Sequence, residues 1–236
     1  MNSPRAVIFD VYHTIVDVLP SPPDAATRWR ELASTIPGLA NVPSLEDVSA
    51  RCREIVDSDH AIARERGIRF PEVLWPHVML RALPELAAFH DRELADFLCD
   101  HIRLLRETAL ADGVANFLRG CHVRGWALGI ASNAQAYTLR ELEQGLGSAG
   151  LTPGIFEADL MMWSFRNGFS KPDPHVFQIL AARLAARGIA PGEILMIGDR
   201  FENDIEPARA FGWQTALIGP TGTNWRELEV RLFGEP

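Results

Sequence analysis

The sequence is poor in cysteine, and the few cysteines it has argue against both a disulfide-rich protein and a zinc-binding one. Three cysteines, Cys52, Cys99 and Cys121, are scattered through 236 residues. Their odd number argues against a disulfide framework, and their spacing does not match that of zinc ligands. We therefore expect reduced, partly buried thiols, as in a protein of the cytoplasm.

The sequence also lacks a run of basic residues and a long apolar segment. With a net charge of −8 and a pI of about 5.4, the chain lacks the basic surface that binds a DNA or RNA backbone. A small anion in a local pocket is compatible with this charge. No apolar stretch approaches the roughly 20 residues that span a membrane, and no signal-peptide pattern is present. We expect a cytoplasmic protein that binds neither nucleic acid nor membrane.

What the sequence does contain is an ordinary globular composition, with 47% hydrophobic and 23% charged residues. This length suits one domain that carries a smaller inserted one. Short apolar runs rich in β-forming residues predict strands that are buried on both faces, as in a parallel sheet. The four runs are 6–9, 126–131, 194–197 and 215–218.

Helical patterns separate these strands. One apolar stripe, at positions 139, 142 and 146, follows the second strand, and another, at 176, 177, 180 and 184, precedes the third. The latter helix has a start signal, because Asp173 can cap it and Pro174 suits its first turn. Gly188 suits its end. Strands that alternate with helices predict an α/β fold with a doubly wound parallel sheet.

Residues 17–107 break this alternation. They show no buried strand, and their patterns predict helices over 25–36, from Ser44 to about Arg66, and over 91–107. Ser44 followed by Asp47 resembles a helix capping box. The sequence therefore predicts an all-helical domain, 17–107, inserted after the first strand of a core formed by 1–16 and 108–236.

Polar residues follow the predicted strands at the point where each one ends. Asp10 ends the first strand, Ser132 and Asn133 follow the second, and Asp199 follows the third, with Asp204 five residues later. Lys171 precedes the helix that begins near Pro174. Ligands of open parallel sheets bind at the carboxyl ends of the strands, so we expect these side chains to form one site.

The chemistry of such a site is coherent. Carboxylates of Asp10, Asp199 and Asp204 in one cleft would repel one another, and a hard divalent cation such as Mg²⁺ would relieve that repulsion. Asp10 could then attack phosphorus to give an aspartyl-phosphate that water cleaves. Ser132, Asn133 and Lys171 would supply hydrogen-bond donors and positive charge to the transferring oxygens.

Four motifs in this order resemble those of the haloacid dehalogenase superfamily, and the resemblance spans nearly the whole chain. They are Ile8-Phe9-Asp10-Val11-Tyr12-His13-Thr14, Ile130-Ala131-Ser132-Asn133, Lys171-Pro172-Asp173-Pro174 and Gly198-Asp199-Arg200-Phe201-Glu202-Asn203-Asp204. The resemblance also covers the inserted segment, which corresponds to the helical cap that members of subfamily I carry after the first strand.

The resemblance implies roles for individual residues. Asp10 would be the nucleophile, and Ser132 and Lys171 would bind the transferring group. Mg²⁺ would be held by Asp10, by the backbone carbonyl of Tyr12 and by Asp199, with Asp204 in or beside that set. We also place the side chains of Tyr12, Thr14 and Asn133 among the substrate-binding groups.

Two positions depart from the phosphatase pattern of the family. Phosphatases usually carry a general-acid aspartate two residues after the nucleophile, and Tyr12 stands there, as in the haloacid dehalogenases. Asp199 favours a phosphatase instead, because the metal-free dehalogenases lack this acidic residue. His13 stands where glycine is common, and we name it as the candidate acid, with His60 and His101 of the insert as alternatives.

The predicted activity is that of a hydrolase with an aspartate nucleophile. The motifs favour a Mg²⁺-dependent phosphohydrolase that acts on a small phosphorylated metabolite. The alternative is a metal-independent 2-haloacid dehalogenase, and a third hypothesis is a nearly inactive relative that binds a ligand or a protein. The sequence identifies neither the substrate nor the oligomeric state.

Overall fold

The computed structural model describes residues 3–234. Its strands are β1 (Ala6–Phe9), β2 (Val16–Leu19), β3 (Glu107–Leu110), β4 (Ala127–Ser132), β5 (Met161–Trp163), β6 (Ile194–Gly198) and β7 (Gln214–Leu217). Its α-helices are α1 (Ala25–Ala33), α2 (Leu45–Glu65), α3 (Trp75–Ala82), α4 (Asp91–Leu105), α5 (Val114–Val123), α6 (Ala136–Ser148), α7 (Ser164–Asn167), α8 (Pro174–Ala186), α9 (Glu206–Ala210) and α10 (Trp225–Phe233).

Five strands form one sheet in the order β5-β4-β1-β6-β7, and all of its pairs are parallel. β1 lies in the middle, where Ile8 is opposite Gly129 of β4 and Met196 of β6. The predicted α/β fold is therefore confirmed. Because the strands are parallel, their carboxyl ends lie along one edge of the sheet.

Helices cover both faces of this sheet. Alternate residues of β1 point to opposite faces, so Phe9 packs with Phe117 of α5 and Trp225 of α10 on one side. On the other side Ile8 belongs to a cluster that includes Phe177 of α8. Both faces of β1, β4 and β6 are buried, which accounts for the continuous apolar runs of these strands.

The segment between β2 and β3 is helical and has a hydrophobic cluster of its own. α1, α2, α3 and α4 pack around buried residues that include Trp29, Met79, Phe97 and Leu98. Ser44 caps α2, since its Oγ accepts a hydrogen bond from the Asp47 amide at 3.0 Å. The sequence did not predict α3.

The predicted last helix of this segment extended too far, to residue 107. α4 ends at Leu105 because the backbone of Arg106 is extended, and Glu107 begins β3. β3 pairs antiparallel with β2, with Val16 opposite Leu110 and Leu19 opposite Glu107. This ribbon, also not predicted, crosses both proposed domain boundaries and joins the helical segment to the sheet.

β5 was not predicted, although the other strands of the parallel sheet were. The ends of the proposed core, residues 1–2 and 235–236, lie outside the described residues. Among residues 3–234, no helix combines the length and the apolar character that crossing a membrane requires.

Candidate active site

The candidate nucleophile stands where the central strand meets a tight turn. The Asp10 amide donates to the carbonyl of Ile197 at 2.8 Å, which ties it to the end of β6. Beyond it the chain reverses, as the His13 amide donates to Val16 and the Val16 amide donates to Val11. His13 takes a left-handed φ of 57°, a conformation that glycine adopts without strain. The histidine thus preserves a turn that glycine would form.

Lys171 brings a cation to this carboxylate. Its ammonium group donates to Asp10 Oδ1 at 2.6 Å and to Asp204 Oδ1 at 2.5 Å, and only 4% of the residue is exposed. Burial alone would lower the pKa of Lys171, but the adjacent carboxylates outweigh it and raise this pKa. The lysine is therefore held as a cation between two acids.

Asp199 and Asp204 come from the end of β6 and from the single π-helical turn, Phe201–Ile205, that follows it. Asp204 Oδ2 accepts a hydrogen bond from the Arg200 amide at 3.0 Å, so its carboxylate is fixed on both oxygens. Carboxylate oxygens of Asp10, Asp199 and Asp204 lie within 4.8 Å of one another. The predicted cluster of acidic residues does assemble.

This crowding changes the acidity of the cluster. Burial raises the pKa of Asp10 to about 6, Lys171 opposes the rise, and the charges of Asp204 and Asp199 add to it. Burial and the charge of Asp204 also raise the pKa of Asp199. Three carboxylates thus face a single buried ammonium, and the negative charge in excess favours binding of a cation.

The donor set fits Mg²⁺. Hard divalent cations take oxygen ligands and are commonly bound by one or two carboxylates together with substrate phosphates. Asp10 Oδ2 and the Asp199 carboxylate have no side-chain hydrogen bond among the described residues, so they can accept a metal ion. Asp10 and Asp199, with Asp204 beside them, are therefore the residues that would hold it.

Two hydroxyl groups near the site are buried without a partner. Ser132 ends β4 and Thr14 follows the turn after Asp10, and neither hydroxyl oxygen has a hydrogen-bond partner among the described residues. A buried hydroxyl left unpaired costs free energy. Oxygens of a bound anion would satisfy such groups.

Asn133 is joined to Lys171 by two hydrogen bonds. Its side-chain amide donates to the carbonyl of Lys171 at 2.9 Å and accepts from the Lys171 amide at 2.6 Å. Asn133 also lines the cavity. Its visible contacts hold the loop that carries the lysine.

A cavity of about 580 Å³ lies at this edge of the sheet, and Ser132 and Thr14 are not among the residues that line it. Asp10, Lys171, Asp199 and Asp204 line it, and so does His13. Further lining residues are Tyr12, Val18, Arg106, Asn133, Arg200, Asn203, Ile218, Gly219, Pro220 and Thr221. No residue of α1–α4 is among them, and the ribbon that joins these helices to the sheet contributes Val18, while Arg106 immediately precedes its second strand.

Tyr12 belongs to a network that the sequence did not predict. Its hydroxyl lies 2.6 Å from Thr138 Oγ1, donates to Glu141 and accepts from Arg106 Nη2 at 2.5 Å. Arg106 also forms an ion pair with Glu141 at 3.0 Å. Burial first, and then the Glu141 charge, raise the pKa of Tyr12 well above its usual range, although Arg106 opposes this. This hydroxyl is therefore a poor proton donor to a leaving group.

The three histidines considered as acids lie in different places. His13 lines the cavity, whereas His60 lines a separate pocket near His77. His101 is 1% exposed and lies against Trp29 and Trp75, with ring centroids 5.5 Å and 6.4 Å away. His13 is thus the histidine of the three that the fold brings to Asp10.

Fold and site together define an α/β protein with a cluster of acidic residues at the carboxyl edge of its parallel sheet, and comparison with known proteins identifies the family. The family model for haloacid dehalogenase-like hydrolases matches residues 4–212. The chain therefore belongs to this family, as its motifs predicted.

Relatives within the family differ in their named activities. The chain is 36% identical over 110 residues to human haloacid dehalogenase-like hydrolase domain-containing protein 3, and 33% identical over 127 residues to a phosphoserine phosphatase of Thermus thermophilus. These alignments cover 46% and 54% of this chain and 40% and 46% of the relatives, so the match spans less than half of their length.

The fold is also that of solved structures. A 2-haloacid dehalogenase from Pseudomonas syringae superposes with a TM-score of 0.59 at 21% identity, over 94% of this chain and 89% of its own. Identity at this level shows a shared fold. Phosphatases and dehalogenases are both similar to the chain.

Proposed function

We propose that this hydrolase is a Mg²⁺-dependent phosphohydrolase that acts on a small phosphorylated metabolite, with Asp10 as its nucleophile. The observation that carries the proposal is the approach of the Asp10, Asp199 and Asp204 carboxylates to within 4.8 Å of one another. Without a cation, Asp199 and Asp204 would repel the carboxylate of a haloacid, whereas a metal-bound phosphate would be attracted.

In the proposed reaction a carboxylate oxygen of Asp10 attacks phosphorus, and the ester oxygen leaves with the electron pair of the broken bond. Water then cleaves the aspartyl-phosphate and regenerates Asp10. Bound Mg²⁺ would neutralise charge on the phosphoryl group. Lys171 and the unpartnered hydroxyls of Ser132 and Thr14 are the groups we assign to its oxygens.

The leaving group needs a proton unless it is already acidic. Tyr12 is unsuited to give one, because its hydroxyl is engaged by Arg106, Glu141 and Thr138. His13 lines the cavity, and we propose it as the general acid. Its replacement by alanine should slow turnover of alkyl phosphates more than turnover of aryl phosphates.

We further propose that residues 17–107 act as a cap over a core of 1–16 and 108–236. The separate hydrophobic cluster of α1–α4 and the ribbon that joins it to the sheet support this division. A cap of this kind excludes water and selects the substrate.

A second candidate function is hydrolysis of a 2-haloacid, in which Asp10 would attack carbon and release halide. Tyr12 at the position of the usual acid favours it, because a halide leaves without a proton. The structural likeness to a 2-haloacid dehalogenase is compatible with it. The cluster of Asp10, Asp199 and Asp204 argues against it, because these carboxylates would repel the carboxylate of a haloacid.

One assay separates the two candidates. Purified protein is given p-nitrophenyl phosphate or 2-chloropropionate, each with Mg²⁺ and with EDTA, beside the Asp10→Asn variant. Nitrophenol release that needs Mg²⁺ and is lost in the variant is the expected result, since this leaving group tolerates a missing acid. Halide release that ignores EDTA would show instead that the chain is a dehalogenase, and binding without turnover of either would overturn both.

A further inference from the structure

Arg106 is a cation on the cavity wall that the reaction described above does not use. It lies between α4 and β3 and lines the same cavity as Asp10 and Lys171. Its side chain is 21% exposed, so its guanidinium is neither free in solvent nor fully enclosed. A cation in this position can contact a ligand in the cavity.

The guanidinium is held on two sides. Its central carbon lies 4.2 Å from the ring centroid of Tyr12 and 5.6 Å from that of Tyr137, which are cation–π distances. Nη2 donates to Glu141 Oε2 at 3.0 Å and to the Tyr12 hydroxyl at 2.5 Å. A side chain fixed in this way loses little conformational freedom when it binds a ligand.

The remaining nitrogens of Arg106 are unused. Nη2 is the donor in each hydrogen bond that Arg106 makes through its side chain, and neither Nε nor Nη1 has a partner among residues 3–234. Nε is also buried, so its N–H group is left without a hydrogen bond beside the cavity that Arg106 lines. A planar guanidinium with unpaired N–H groups is suited to the oxygens of an anion.

The other charges of the cavity limit which anion fits. Lys171 is already engaged by Asp10 and Asp204, so it does not offer a separate site to a second anion. Glu141 balances part of the Arg106 charge. A singly charged carboxylate therefore suits this position better than a second, doubly charged phosphate, which the nearby acids would repel more strongly.

We propose that Arg106 binds a carboxylate of the substrate, so that the preferred substrates are small phosphate monoesters that also carry a carboxylate group. This inference rests on the proposed phosphohydrolase function and adds the substrate class. The phosphoryl group would lie at Asp10 and Lys171, and the carboxylate would lie toward the ribbon that leads to the helical segment. Arg106 is then a specificity-determining residue.

The test compares two esters that differ in this group, 2-phosphoglycolate and propyl phosphate, by kcat/KM with Mg²⁺. The wild type should prefer 2-phosphoglycolate by roughly tenfold or more, the ratio expected of one charge-assisted hydrogen bond. The double variant Arg106→Gln/Glu141→Gln, which leaves no unpaired carboxylate behind, should lose this preference. Glu141→Gln alone should keep it, because Arg106 is still present.

Arg200→Gln is the matched control, since Arg200 lines the same cavity but makes no side-chain hydrogen bond among the described residues. Its preference should equal that of the wild type. Because the ratio compares two substrates on one enzyme, a general loss of structure lowers both rates and leaves the ratio unchanged. Calorimetric binding of both esters to the Asp10→Asn variant gives the same comparison without turnover.

Three results would overturn the proposal: no preference in the wild type, a preference that survives removal of Arg106, or one that depends on Arg200. Each differs from failure of the proposed function, which would appear as no Asp10-dependent release of nitrophenol from p-nitrophenyl phosphate. If the double variant does not fold, Arg106→Lys replaces it, and an unchanged ratio there counts against recognition by the guanidinium.

Discussion

Among single residues, His101 is a buried histidine whose protonation should affect the stability of the fold. Both of its ring nitrogens lack a hydrogen-bond partner among the described residues, and Trp29 and Trp75 lie against the ring. Burial lowers the pKa of His101 from 6.5 to about 4. The folded protein therefore holds this ring neutral where the unfolded chain would protonate it.

The sign of the pH dependence follows from this shift. Between about pH 6.5 and pH 4 the unfolded state binds more protons at His101, so the free energy of unfolding falls as the pH falls. From about pH 7.5 to about pH 5 the loss from this residue should be roughly 2 kcal/mol. The His101→Phe variant should lack this part of the loss, as judged by urea unfolding at both pH values.

The control for this prediction is His122→Ala, because His122 is exposed on α5. It should lose as much stability as the wild type over the same pH range. Equal losses in His101→Phe and the wild type would mean that His101 does not stay neutral in the folded protein.

Among the structural elements, β6 and the turn that follows it pack so closely that the Asp204 side chain lies against the backbone of Gly198. A Cβ atom on Gly198 would lie 2.3 Å from Asp204 Oδ2 and 2.5 Å from Asp204 Cβ. Such distances force the neighbour to move. The glycine before Asp199 thus lets the π-helical turn fold back and bring Asp204 to Lys171.

Gly198→Ala should therefore disturb the acidic cluster. We expect a loss of about 1–3 kcal/mol in the free energy of unfolding, as for other overpacked sites. We also expect Mg²⁺ affinity to fall by roughly tenfold or more, since a ligand-bearing turn is displaced. Denaturant unfolding and calorimetric titration with Mg²⁺ measure the two effects.

Gly192→Ala serves as the comparison, because a Cβ atom there meets nothing within 4 Å and its φ is not left-handed. It should match the wild type in Mg²⁺ binding. Wild-type affinity in Gly198→Ala would show that the turn tolerates the added methyl group and that the close packing has no role in the site.

The strands differ in how far the sequence alone predicts them. The strands β1, β4 and β6 are continuous apolar runs, and polar residues follow or end each of them, so the sheet was found together with Asp10, Asp199 and Asp204. Lys171 was found from the start signal of α8, which it precedes. β5 was missed because three residues after a 3₁₀ turn give too short a pattern. β2 and β3 were missed because two of the four residues in each strand are exposed, so neither strand gives a buried apolar run.

The Tyr12 network could not be predicted for a different reason. Tyr12 lies 129 positions from Glu141 and 94 from Arg106 in the sequence, so no local spacing connects them. Only the packing of α6 against the turn after Asp10 and the end of α4 brings the three together. The tyrosine was recognised as a departure from the phosphatase pattern, but its partners were not.

At the scale of the whole molecule, the helical segment also touches the core near Lys171. Glu72 accepts hydrogen bonds from Gln135 Nε2 at 3.0 Å and from Ser164 Oγ at 2.6 Å. The Ser170 amide donates to the carbonyl of Phe70 at 2.9 Å. The loop that presents Lys171 is thus held in part by the connection between α2 and α3.

Replacing Glu72 with alanine should loosen this attachment. Two side-chain hydrogen bonds to a carboxylate are lost, so we expect amide exchange at 164–171 to quicken by roughly tenfold or more. Hydrogen–deuterium exchange followed by mass spectrometry reports it peptide by peptide. Exchange at β1 should stay slow.

Glu65→Ala is the control, since Glu65 is an exposed residue at the end of α2. Its exchange at 164–171 should equal that of the wild type. Unchanged exchange in Glu72→Ala would show that the backbone contacts of this segment suffice to hold the Lys171 loop.

The β2–β3 ribbon has a consequence for how such proteins diversify. The chain leaves the sheet through Val16 and returns at Leu110, and these two residues are directly paired. Ends that are already adjacent can be joined by segments of very different length at small entropic cost. Over evolutionary time a gene can therefore replace the segment between them with another of different length while the sheet and the residues at its carboxyl edge stay unchanged.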